Sequence, residues 1–146
     1  MAQAEHLLNV KVVTSNGIVY DHMAKMVDVR AVDGKLSIMF NHTPLLTPLA
    51  IDDVMVTRST EMDDRVDHIA VNGGYLEFSN NVLTIISDTA ERARNIDLDR
   101  AEAARLRAEK RIENADQEHD ESKKARAEIA LRRAVNRITV YNRYKH

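Results

Sequence analysis

The stretch that decides the fold runs from Val82 to Glu113 and reads VLTIISDTAERARNIDLDRAEAARLRAEKRIE. It begins as β and ends as α. Val82 to Ser87 is rich in β-branched residues and suits a strand. From Ile96 onward alanine, glutamate and arginine dominate, all strong helix formers. The character of the whole chain changes near Thr89: all four glycines and both prolines lie before it and none after. A switch from period 2 to period ~3.6 marks a domain boundary. The reading is an α+β chain, with a β-sandwich over residues 1–88 and a helical hairpin over residues 89–146.

In the first half, NVKVV (Asn9–Val13) sets Val10 and Val12 on one strand face, and Gly17 punctuates. MVDVRAV alternates Val27, Val29 and Ala31 against Asp28 and Arg30. Asp33-Gly34 predicts a type I′ hairpin, because that turn needs positive φ. KLSIMF follows as a strand. Pro44 and Pro48, in NHTPLLTPL, cannot donate to a central ladder, which predicts a sandwich edge there. VMVTRS and RVDHIAV read as strands, Asn72–Gly74 as a turn, and YLEF, SNN and VLTIIS as strand, turn and strand. So many short strands predict an antiparallel sandwich or flattened barrel, and roughly 85 residues suffice for its core.

The second half predicts two helices. The first starts at Ala90 or Asp97 and ends near Ala115, with Asp97 or Asp99 as its cap and a stripe of Ala101, Ala104, Ala108, Ile112 and Ala115. The polar run Asn114–Ser122 holds the reversal. The second spans Ser122 to Asn142 with a stripe of Ala127, Leu131, Ala134, Ile138 and Tyr141, which suits an antiparallel pair. Alanine stripes allow close approach but contribute little at ~25 cal/mol per Å². The hairpin is therefore expected to move easily.

Composition excludes several functions. The formal net charge is −2, from 21 basic and 23 acidic residues, which argues against a nucleic-acid backbone binder. There is no cysteine, hence no disulfide and no thiolate site. MAQAEHLLNVKVV lacks the pattern of a signal peptide, and no run approaches the ~20 apolar residues of a membrane span. The six histidines are scattered without H-x-H or H-x-x-x-H spacing, so no metal site is expected. No G-x-S-x-G and no phosphate loop appears, so no catalytic residues are assigned.

Two features remain. NHTPLLTPL is either an edge packing its own leucines or a docking tip for a partner, formed by His42, Pro44, Leu45 and Leu46. Arg100 and Arg107 lie seven apart on one helix face, and Arg126, Arg133 and Arg137 step by 7 and 4 on the other helix. These arginines are either a solvated face balanced by Glu102, Glu109 and Glu128 or a site for an anion, to which guanidinium forks are suited.

NHTPLLTPL, IAVNGGYLEF, VLTIISDTAERARNIDLDRA and ALRRAVNRI, in this order, resemble the epsilon subunit family of bacterial F-type ATP synthase over nearly the whole chain. The resemblance implies a non-catalytic rotor subunit of the central stalk, lying peripherally on the cytoplasmic face of the cell membrane without inserting into it. Its sandwich would bind the gamma subunit and rest on the c-subunit ring, helping to couple proton flow to ATP synthesis. Its hairpin would fold down on the sandwich or extend toward the alpha/beta catalytic head and inhibit ATP hydrolysis. No cofactor is required, but ATP is implied as a regulatory ligand through the pattern I/L-D-x-x-R-A. That pattern falls on Ile96, Asp97, Arg100 and Ala101, joined by Glu91, Arg107, Arg133 and Arg137. The alternatives are a rotor adaptor blind to nucleotide and a free-standing ATP-binding module. Two departures bear on the ring contact: FNH, with Asn41, stands where the family has P-G-H, and DGKLSI, with Lys35 and Ser37, stands for G-E-L-G. Asn41 tolerates positive φ, so that turn is expected to survive.

Overall fold

A computed structural model describes residues 5–145; the first four residues of the N-terminal stretch and His146 lie outside the described residues. The order of elements is β1 (Leu8–Thr14), β2 (Gly17–Ala24), β3 (Met26–Ala31), β4 (Gly34–Met39), β5 (Leu45–Thr57), β6 (Val66–Ser79), β7 (Val82–Ile86), β8 (Ala90–Arg92), α1 (Leu98–Gln117) and α2 (Glu121–Lys145). The strands pair in the order β2-β1-β7-β6-β5-β3-β4, with β8 on β6. Neighbours are antiparallel except β1 and β7, which run parallel. The expected alternation is realised: Val10 and Val12, and Val27, Val29 and Ala31, point into the core. Strand β2 had no sequence signal beyond Gly17, yet it pairs along all of β1 and buries Tyr20 and Ala24.

One hydrogen-bonded sheet becomes a two-layered sandwich at a corner made by β5 and β6. These strands stay paired from Leu45↔Phe78 to Thr57↔Val66. Along β5 the inward residues are Thr47 and Leu49, then Val54 and Val56, so the phase of the alternation shifts between them. β6 shifts likewise, from Ile69 and Val71 to Leu76 and Phe78. Each strand therefore exchanges its inner face partway along, as a strand passing from one layer to the other must. Beyond the corner β6 exchanges partners, from β8 at Ile69–Val71 to β7 at Tyr75–Ser79.

This corner corrects a sequence expectation. Asn72–Gly74 is not a turn but the bend inside β6, with Gly73 at φ 82° and Gly74 at φ 107°. A β-carbon on Gly74 would lie 2.0 Å from the Ile86 carbonyl oxygen, so the backbone of β7 packs directly on it. Three further expectations are revised. The β3–β4 hairpin turns at Val32-Asp33, with Gly34 rather than Asp33 carrying the positive φ, so it is not type I′. The type I′ dihedrals occur at Asn80-Asn81, φ 51° and 61°, in SNN. Pro48 sits in an interior strand, not at an edge. Its carbonyl accepts from Val32 N–H at 3.1 Å, so its missing donor faces the end of β3 and costs no bond to β6. Asn41 does adopt positive φ, 64°.

Of the two starts considered for the first helix, Asp97 is the one realised: its side chain caps α1, and residues 90–92 form β8 instead. The buried stripe on α1 is Ala101, Ala108 and Ala115; on α2 it is Ala127, Ala134, Asn136 and Val140. Leu131, Ile138 and Tyr141 are half-buried. The reversal is tighter than expected, confined to Glu118–Asp120, with His119 at φ 54° and Asp120 capping α2 through Lys123 N–H.

Gly73 and Gly74 separate backbone preference from close contact. Gly73→Ala meets only Leu49 O at 3.6 Å and is expected to cost about 1–2 kcal/mol from its left-handed φ. Gly74→Ala must also displace β7 and is expected to cost at least about 3 kcal/mol. Urea midpoints at constant slope measure both.

Candidate functional site

The hairpin covers the outer face of β5 and β6 beside the corner. There the period-2 burial breaks down: Ile69, Ala70, Val71 and Asn72 are all buried, as are both Asp53 and Val54. Ile69, Val71 and Val54 face the sandwich core, while Ala70, Asn72 and Asp53 lie under the helices. A small cluster of Ala70, Ala93, Ile96 and Val140, flanked by Tyr141, forms the apolar contact.

Beside that cluster lies a cavity of about 300 Å³, lined by sandwich residues Asn72, Thr89 and Glu91 and by Asp97, Arg100, Arg107 and Arg137. An adjoining hollow of about 190 Å³ shares Ala104, Arg107 and Arg137 with it and adds Arg111 and Arg133. Several elements place these side chains. β8 pairs Glu91 with Ala70, Asp97 is fixed by capping Arg100 N–H at 3.2 Å, and the arginines project from both helices. Alanines at Ala101, Ala104, Ala108 and Ala130 leave the space between them open.

Of the predicted residues, Glu91, Asp97, Arg100, Arg107 and Arg137 share one cavity and Arg133 borders the next. Ile96 is buried in the apolar cluster and Ala101 in the helix interface. Arg126 does not join them. It lies at the hairpin tip, bonding Ser122 and lining an open depression of about 410 Å³. There Lys123 is already paired with Glu118. Arg111 was missed, although its spacing of four from Arg107 would have placed it on the same face. Asn72 was missed because the run NGG was taken for a turn.

The charges bear on the two readings of the arginine face, of which Arg100, Arg107 and Arg111 are exposed. Glu102 and Glu109 both pair with Arg105, at 3.0 and 2.9 Å, on another face of α1. Among the described residues no carboxylate lies within ion-pair distance of Arg100, Arg107, Arg111, Arg133 or Arg137, and Glu128 pairs with none of them. Arg133 Nε is also buried without a partner. Guanidiniums drawn together without carboxylates repel, and an anion between them removes that cost.

The other candidate surface is apolar. His42 stands edge-on to Phe78, Pro44 is exposed, Leu45 turns inward onto the core and Leu46 turns outward, 71% exposed. On the same outer face Pro48, Tyr75 and Ile86 lie side by side across three strands, with Val32 next to Pro48. Val32, Tyr75 and Ile86 are 65%, 59% and 56% exposed, a contiguous apolar row of the kind that marks a protein contact. Lys35 and Ser37 lie on β4; the Ser37 hydroxyl bonds Asp28. Among the described residues no group of three His, Asp or Glu could hold a metal, and no helix is long and apolar enough to cross a membrane.

Comparison with known proteins bears on both surfaces. The family model for the beta-sandwich domain of the ATP synthase delta/epsilon chain matches residues 7–93, and that for its long alpha-helix domain matches residues 94–142. The chain is 63% identical over 146 residues to the ATP synthase epsilon chain of Lactobacillus helveticus, covering 100% of both. It is 59% identical over 144 residues to that of Lactobacillus gasseri, covering 99% of each. Among solved structures it matches a chain of the Euglena gracilis mitochondrial ATP synthase at TM-score 0.74 and 16% identity, over 99% of this chain and 85% of that one. At that identity the last match speaks for the fold alone.

β8, which carries Glu91, is tied to the sandwich through Asp67. This carboxylate accepts from Tyr20 Oη at 2.6 Å and Arg58 Nη1 at 3.1 Å, and pairs with Arg65 and Arg92. Burial alone would raise its pKa, but the Tyr20 and Arg58 hydrogen bonds and the Arg65 charge outweigh it and hold the group below the ordinary carboxylate value. Burial, and then Asp67 itself, push the Tyr20 phenol up. Because the folded pKa is depressed, the stabilisation is present above the ordinary carboxylate value and is lost as pH falls through the lowered one. Asp67→Asn is expected to lower stability at neutral pH and to flatten the acid limb of stability against pH. Denaturation across that range measures both.

Proposed function

Because the chain belongs to the ATP synthase delta/epsilon family, and is thereby a non-catalytic stalk subunit of F-type ATP synthase, we propose that its hairpin is an ATP-sensing arm of the rotor. ATP occupies the cavity between hairpin and sandwich and the adjoining hollow between the two helices. Its triphosphate lies among Arg107, Arg111, Arg133 and Arg137, and its nucleoside beside Glu91, Asp97 and Arg100. The observation that carries this reading is the set of arginines gathered with no ion-pair partner among the described residues, while Glu102 and Glu109 are engaged by Arg105.

The cavity has walls from both the sandwich and the hairpin, so a ligand within it favours the folded-down form by its differential affinity. When ATP is scarce the hairpin extends toward the alpha/beta head and restrains ATP hydrolysis. The alanine interface and the small apolar cluster support a mobile arm, since neither buries much surface. The sandwich docks to the gamma subunit and the c ring on the cytoplasmic face of the membrane, and helps couple proton flow to synthesis. The apolar row at Pro48, Tyr75 and Ile86, with the loop from His42 to Leu46, supports that docking. Because this row shares no residue with the arginine cavities, a rotor adaptor blind to nucleotide is the second reading. A free-standing ATP-binding module leaves the row without a purpose.

Calorimetry and thermal melts on the isolated chain separate the readings. ATP at 100 times its dissociation constant should stabilise the chain by about 2.7 kcal/mol. Arg107→Ala and Arg137→Ala should each weaken binding roughly tenfold or more, as expected for a lost charge-assisted contact. No heat and no rise in midpoint at millimolar ATP would leave the adaptor.

A further inference from the structure

We infer that Asp53 is a positioning residue for the hairpin: a buried carboxylate that clasps the last turns of α2 to the sandwich and so holds the nucleotide cavity together. Its consequence for ATP rests on the reading above; the clasp itself does not. Asp53 lies on the outer face of β5, with its side chain 1% exposed. Its Oδ2 accepts from His68 Nδ1 at 2.8 Å and from Arg143 Nη1 at 3.1 Å. His68 comes from β6, beside it in the same layer, whereas Arg143 comes from α2, 90 residues away.

Among the described residues, Arg143–Asp53 is the one ion pair and the one side-chain hydrogen bond that join α1 or α2 to the strands. The other main tie is the small apolar cluster around Val140, with Tyr144 lying beside His68 and Arg92. The pair therefore sits at a point of leverage. Asp53 does not line the cavity, but Arg137 does, and Arg137 and Arg143 belong to one helix.

The physical balance suits a clasp that opens. Removing Arg143 while α2 stays docked leaves a buried carboxylate with only His68, which is costly. Its Oδ1 is already without a partner. Lifting α2 admits water to Asp53 and restores the solvation that docking removed. The carboxylate thus opposes burial by itself and favours it only with Arg143 in place. Since the cavity needs both walls, apparent affinity follows the docked fraction, Kd,app = Kd/f.

The absence of native cysteine allows a clean measurement on the full chain. A dye pair at Asn16→Cys, in a sandwich turn, and Gln117→Cys, at the hairpin tip, reports docking without ligand. Arg143→Ala and Asp53→Asn should each lower the docking constant, roughly tenfold to a hundredfold for a hydrogen bond to a charged group. The double variant should be no worse than the worse single, and Arg143→Lys should recover part of the loss. Apparent ATP affinity should fall in proportion to the docked fraction, with saturating ATP restoring the docked signal. Arg143 is half-exposed at the end of α2, so Arg143→Ala leaves the sandwich able to fold and keeps the test valid if Asp53→Asn does not. Unchanged docking in Arg143→Ala, or independent multiplying losses in the double variant, would overturn the clasp. An unliganded chain whose docking responds as expected, but which takes up no ATP, supports the clasp and refutes the sensor.

Discussion

Everything in this chain hangs on the bend that β5 and β6 make together. Two long strands stay hydrogen-bonded while both exchange their inner faces, and this is possible because Gly73 and Gly74 take positive φ and β7 leaves no room for a β-carbon on Gly74. The bend folds one sheet into two layers. It also creates an outer face on which Asp53, Ala70 and Asn72 lie ready for a second covering element. The core on one side and the hairpin seat on the other are two consequences of the same geometry.

On that seat the two kinds of force are unequal. The sandwich is held by a dense aliphatic core around Tyr20 and Phe78. The hairpin is held by alanines, a cluster of a few apolar side chains and a single ion pair. Small contacts are compatible with a docked state that competes closely with an undocked one. Charge is arranged to the same end. Arg105 takes up both Glu102 and Glu109 of α1, and the arginines between hairpin and sandwich have no ion-pair partner among the described residues. On the reading proposed above, an anion among them adds to the docked state what the protein's own contacts do not, and so shifts a population.

Much of this was legible in order and kind. Strands other than β2 and β8 announced themselves by alternation and turn signals, the helices by composition, and the α1 cap by Asp97. The errors cluster at the corner. NGG has the composition of a turn, and only the continued pairing of β5 with β6 shows it to be a bend. Pro48 reads as an edge residue because sequence does not reveal that β3 ends before reaching its empty donor position. Asp53 and His68 carry no signal at all, because a polar residue facing outward is what a half-buried strand is expected to have. Arg111 could have been found from its helical spacing; Arg126 could not have been excluded by the same rule, because it sits two turns nearer the hairpin tip, where it lines a different depression.

By itself the sequence determined the two-domain order, the covered face of α1 and the register of most arginines, but not the Asn136 and Val140 that α2 buries. These depend on local periodicity, which a strand or helix imposes on its own residues. Only the tertiary structure decided which arginines meet, which acids are already taken and which outward strand residues are buried. Those outcomes depend on how the β5–β6 corner aims one face at α2, and that angle is set by contacts between residues such as Gly74 and Ile86 or Asp53 and Arg143, brought together from different elements.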